Sequence, residues 1–304
     1  MKVLRTAEKH FSGLPDYDFK PNYLSVPDKH YGDLRMHYLD EGEPSAPVVL
    51  LTPTQGSWVY MYRHMIPLLV NAGLRVVVPD YIGFGRSDKL PRESDYSFQN
   101  HIDWLKSFFN QLEIQNATGF LYDWGGFLGL RIAAEEPHYF AGLVALNTQL
   151  PTGGPSEGHT WFRSWRKEML AKTSFPQGEM VASGVHTKLS AEVIAAYDAP
   201  YPEESYKSGP RRFPMILPIE LDDPARPANL RAWEKLAQWK KPLLTLYSAD
   251  FIGTSMGPEQ LMAQVPGSIG QDHAGIKNAG FYIVEDAGPE LAWRVIDFVA
   301  MLTK

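Results

Sequence analysis

The chain has 304 residues, a net charge of −6 at pH 7, 44% hydrophobic residues and no cysteine. That apolar content fills a large core and excludes global disorder, and a negative chain without a basic block is a poor partner for nucleic acid. The absence of cysteine excludes disulfides, thiolate metal ligands and a cysteine nucleophile.

The first six residues, MKVLRT, run into charged and polar positions without an apolar leader segment. No run approaches the ~20 apolar residues of a membrane span, so the chain reads as cytoplasmic with no membrane partner. Apolar runs at 34–38 and 48–51, and the β-branched RVVVP at 75–79, predict buried strands of a sheet covered on both faces. Between them, the spacing of Met61, Met65, Leu68 and Leu69 predicts a helix over 60–72. A helix at 98–112, a strand at 118–121, a helix at 126–136 and a strand at 143–146 continue the alternation. That rhythm predicts a mostly parallel central sheet with helices on both faces.

After Asn147 the rhythm breaks. Pro and Gly residues, helical stretches at 162–171 and 191–197 and an absence of strand patterning predict a helical cap. The expected division is core at 1–150, cap at 151–229 and core again at 230–304. The second core part carries strands at 242–247 and 275–277 and closes with a helix at 289–301.

Gly119-Phe120-Leu121-Tyr122-Asp123-Trp124-Gly125-Gly126 places an acid between a strand and a helix, where G-x-S-x-G hydrolases carry serine. So sharp a turn needs small neighbours, which Gly125 and Gly126 supply. An aspartate at such a place also serves as a helix N-cap. No His, Asp or Glu cluster has metal-ligand spacing, and Gly83-Phe84-Gly85 lacks the third glycine of a dinucleotide turn, so neither metal nor cofactor is implied.

The DWGG turn, together with HYLDEG at 37–42, PDYIGFGRSDK at 79–89, AAYDAPYPEESYKSGPRRFP at 195–214 and EDAGPELA at 285–292, resembles the haloalkane dehalogenases over nearly the whole chain. The resemblance implies an α/β-hydrolase fold and no cofactor. It implies that Asp123 displaces halide from carbon, giving an alkyl ester that a histidine-activated water then hydrolyses. Trp124 and Trp165 match the two indole donors that hold the halide, and Asp250 matches the acid after the strand at 242–247. Gln55 falls where the family places a backbone N–H in the oxyanion hole.

Two segments depart from the family pattern. The family's A-G-H reads Asn278-Ala279-Gly280-Phe281 here, and phenylalanine offers no proton acceptor. Neither His273, expected at the far end of its strand, nor His159, in the cap, is a good substitute. The family's H-G-E-P reads Pro53-Thr54-Gln55-Gly56. Tyr122 and Phe281 are expected to wall a pocket for a small apolar substrate.

Three functions remain open from the sequence. Asp123 attacks a haloalkane and the reaction stalls at the ester; Asp123 acts as general base on a flat substrate in an elimination or isomerisation; or the protein binds a ligand without chemistry. A monomer or weak homo-oligomer is expected.

Overall fold

The RVVVP run forms a strand whose side chains alternate between two cores: Val76 and Val78 pack on one side of the sheet, Val77 on the other. The computed structural model describes residues 2–154, 157–251 and 258–303. Its strands are β1 (Asn22–Asp28), β2 (Gly32–Glu41), β3 (Val48–Thr52), β4 (Arg75–Pro79), β5 (Ala117–Tyr122), β6 (Phe140–Leu146), β7 (Leu243–Ser248) and β8 (Ala274–Ile276). They form one sheet in the order β1-β2-β4-β3-β5-β6-β7-β8. The strands β3 to β8 run parallel.

The helices are α1 (Met65–Asn71), α2 (Phe98–Gln111), α3 (Trp124–Glu135), α4 (Glu157–Leu170), α5 (Gln177–Ser183), α6 (Ala191–Asp198), α7 (Ser208–Arg212), α8 (Arg226–Leu236), α9 (Pro258–Gln264) and α10 (Ile283–Leu302). On one face α2 and α3 contribute Phe108, Leu128 and Ile132 to a core with Leu50 and Leu121 of the sheet. On the other, α1 and α10 contribute Leu69, Leu291 and Val295 against Leu51 and Phe120. None of the helices described is long and apolar enough to cross a membrane.

The edge beyond β4 departs from the expected covered parallel strands. β2 pairs antiparallel with both β1 and β4, and Leu34 and Met36 pack on one side of the sheet while Leu39 packs on the other. β1 is a strand that its mixed sequence, NYLSVPD, conceals; Pro27 is tolerated because β1 is the sheet edge.

The helix expected over 60–72 divides into a 3₁₀ turn, Val59–Tyr62, and α1. Pro67 lies in the first turn of α1, where its missing N–H costs no helical bond. α10 begins at Ile283, earlier than expected; non-helical backbone at Ala287 sets Pro289 at the start of a fresh segment.

Helices α4 to α8 lie between β6 and β7, and among the described residues that insertion contains no strand. α8, the last helix of the insertion, packs on α3. The parallel strands bring the turns after β3, β5, β6, β7 and β8 to the same carboxyl edge, the usual ligand side of an open α/β sheet.

Candidate active site

The turn after β5 holds Asp123 at φ 45° and ψ −110°, a strained conformation for a residue with a side chain. Four hydrogen bonds fix it. The Asp123 N–H donates to Leu146 O at 3.0 Å, while its carbonyl accepts from Gly126 N–H at 2.8 Å, Phe127 N–H at 2.9 Å and the Thr148 hydroxyl at 2.8 Å. A Cβ on Gly125 would strike the Thr52 hydroxyl, and one on Gly126 would strike that of Thr148. The glycines are required by close approach as well as by the turn.

The carboxylate does not cap α3, since its side chain makes no capping bond. Instead Oδ2 accepts from the Thr54 hydroxyl and from the Gln55 N–H at 3.2 Å. Oδ1 takes neither of these bonds. Burial pushes the Asp123 carboxyl up to about 6, opposed by the Thr54 hydroxyl and by the N–H groups of Gln55 and Trp124. The Gln55 N–H comes from the loop after β3 and the Trp124 N–H from the start of α3. Thr54 adds a third donor that sequence reasoning missed; its position two residues past β3, directly before Gln55, was the available signal.

A cavity of about 230 Å³ opens above this carboxylate. Trp124, Trp165, Phe281 and Gln55 line it, with the Gln55 side-chain amide donating to Pro210 O at 3.3 Å. Trp124 is buried and stacks on Phe213 at 4.0 Å, and Trp165 stacks on Trp161 at 6.4 Å. The indole N–H groups of Trp58 and Trp233 are spent on backbone carbonyls, whereas no hydrogen bond is made by those of Trp124 and Trp165 among the described residues. Further aromatic wall comes from Trp161, Phe162, Phe127 and Phe251. Sequence reasoning missed most of these because the wall is assembled from the cap and from loops far apart in the chain.

Tyr122 is not a wall residue, contrary to expectation. It is fully buried beneath the cavity, and its hydroxyl donates to the backbone carbonyl of Phe281. The Asn147 amide donates to the same carbonyl at 3.2 Å, and the Ser248 hydroxyl donates to Gly280 O at 2.5 Å. The strand-end residues of β5, β6 and β7 thus clamp the loop that presents Phe281.

Asp250 also departs from its expected place. It is exposed, does not line the cavity, and accepts the Asn278 N–H at 2.7 Å. With phenylalanine at 281 no imidazole is there to draw that carboxylate inward. Among the described residues, no histidine lines the cavity. His273 is committed to the Thr245 N–H and to Ser268 O, both at 2.9 Å, and His159 contacts Gly154 O at 2.7 Å. Among the described residues, no group of three or more His, Asp or Glu side chains is placed to hold a metal.

An acid on a strained strand-to-helix turn, served by two backbone donors at the carboxyl edge of a parallel sheet, makes this an α/β hydrolase, and residues 47–181 match the family model described as alpha/beta hydrolase fold. Over 98% of its length the chain is 46% identical to a haloalkane dehalogenase of Psychrobacter cryohalolentis and 44% identical to one of Mycolicibacterium paratuberculosis, covering 98% of each. The chain therefore belongs to the haloalkane dehalogenase family, a family of enzymes. The solved structure of a haloalkane dehalogenase from Paraglaciecola agarilytica, described as tetrameric, superposes with a TM-score of 0.87 at 33% identity, covering 97% of both chains.

Proposed function

We propose that this chain is a dehalogenase-type enzyme that completes only the first half of the reaction. Asp123 Oδ1 attacks the halogen-bearing carbon of a haloalkane, the carbon–halogen electron pair leaves as halide between the Trp124 and Trp165 indole N–H groups, and an alkyl ester remains on Asp123. The observation that carries this reading is the fixed carboxylate. With Oδ2 anchored by Thr54 and Gln55, Oδ1 is left for attack, and the same donors remain on the ester's carbonyl oxygen. Phe281 at the cavity wall supplies no base to activate water, so the ester persists.

Intact-mass measurement after incubation with a 1-haloalkane tests this. The expected result is a stable mass increase of one alkyl group, absent from Asp123→Asn, with one equivalent of halide released. An unshifted mass ends the reading.

A second reading is favoured by the midpoint of Asp123 near 6 within aromatic walls. The carboxylate would then act as a general base on a flat substrate, a role that needs neither ester nor hydrolytic water. Proton transfer from carbon, lost in Asp123→Asn, distinguishes it from alkylation.

A further inference from the structure

Tyr282 contributes a hydroxyl that alkylation leaves unused. Its side chain is 3% exposed and lines the cavity beside Phe281. Two glycines make room for it. A Cβ on Gly184 would lie 2.7 Å from the Tyr282 ring, and one on Gly56 would lie 2.7 Å from its hydroxyl oxygen. The backbone is pinned as well, with the Tyr282 N–H donating to Gly184 O at 3.0 Å. The phenol is thus held against the loop whose preceding residue, Gln55, donates to Asp123.

Nearby tyrosines spend their hydroxyls on the protein: Tyr62 on Thr52 O at 2.7 Å, Tyr81 on Pro53 O at 3.0 Å, and Tyr122 on Phe281 O. Among the described residues, no such bond is made by the Tyr282 hydroxyl. Burial raises its pKa, and the Asp123 charge raises it further, so it stays a donor across the physiological range. A haloalkane carries nothing strong enough to accept that hydrogen bond. A substrate oxygen does.

We propose that the cavity takes a flat aryl ketone, with the Tyr282 O–H donating to its carbonyl oxygen while Asp123 removes a proton from the adjacent carbon. This deepens the general-base reading and rests on it. The C–H electron pair moves into the carbonyl to give an enolate, the proton goes to Asp123 Oδ1, and Tyr282 stabilises the enolate oxygen without giving up its proton. Return of a solvent-exchanged hydrogen from Asp123 restores the ketone, so the net reaction is hydrogen exchange at that carbon. Trp161, Trp165, Phe251 and Phe281 form a contiguous aromatic wall that suits an aromatic ring.

The test is 1-indanone in deuterium oxide at neutral pD, followed by loss of its C2 proton signal. The unsubstituted protein is expected to exchange C2 about 100-fold faster than Asp123→Asn, and Tyr282→Phe is expected to lose about 100-fold at saturating ketone. Exchange no faster than in Asp123→Asn overturns both this inference and the general-base reading. Full exchange in Tyr282→Phe overturns the Tyr282 assignment alone and leaves Asp123 as base. Should Tyr282→Phe misfold, the carbonyl stretch of bound ketone in the unsubstituted protein decides. A shift to lower frequency than in an alkane solvent supports the hydrogen bond, and an unshifted band overturns it.

Discussion

With its midpoint near 6, Asp123 is mostly ionised at neutral pH and mostly protonated at pH 5. Because its ordinary value is 3.8, the folded chain binds more protons than the unfolded chain between about pH 4 and 6. Stability therefore falls as pH rises through that window, and above it the buried charge costs about 3 kcal/mol. Asp123→Asn should be more stable than the unsubstituted protein at pH 7 by up to that amount, and denaturant titrations should show the gap closing by pH 4. At position 281 the relevant quantity is basicity. Phe281→His should convert a single equivalent of released halide into repeated turnover, measured as halide per enzyme after overnight incubation with a 1-haloalkane. Turnover should remain slow, because Asp250 is engaged with Asn278 N–H and must swing inward to orient an imidazole.

Among the elements, the passage from β5 into α3 carries the site. Its strain is held by bonds to β6 and to the turn after it, and by the fit of two glycines beneath two threonines. Gly126→Ala should push Thr148 off the Asp123 carbonyl, lower stability by about 2 kcal/mol in urea unfolding and slow alkylation at pH 7. The loop between β8 and α10 is built by the same logic. Tyr122, Asn147 and Ser248, each at or just past a strand end, hold its carbonyls, so the residue at 281 faces the cavity whatever its side chain. The loop is therefore a rigid mount, and replacing its side chain changes chemistry more than shape.

In the whole molecule, a buried cluster of charges is among the contacts that tie the cap to the core. Arg63 follows the 3₁₀ turn Val59–Tyr62, Glu285 lies in α10 and Tyr197 in α6; Arg63 pairs with Glu285 through both guanidinium ends, and the Tyr197 hydroxyl donates to the same carboxylate. The two charged side chains are 3% and 2% exposed. Removing one charge strands the other, so Glu285→Gln should cost about 3 kcal/mol and loosen the cap, seen as a lower denaturant midpoint together with faster hydrogen exchange in α6.

Much of this was legible in the chain. The period of RVVVP and its neighbours marked the parallel strands, and DWGG marked the strained turn because only glycine fits beneath Thr52 and Thr148. That Phe281 can supply no base was legible too, since an aromatic hydrocarbon cannot accept a proton wherever it lies. The edge hairpin was not legible, because β1 mixes polar residues and proline with its apolar ones. Nor were the roles of single polar groups. Tyr122 looked like a wall and is a strut, Asp250 looked like an orienting acid and faces solvent, and nothing in the chain marked Thr54 as a donor to Asp123 or Tyr282 as lining the same cavity. Those assignments rest on contacts between residues far apart in sequence, such as the 159 positions from Tyr122 to Phe281. Local patterning sets which elements form; only their packing decides which way a side chain at a strand end will turn.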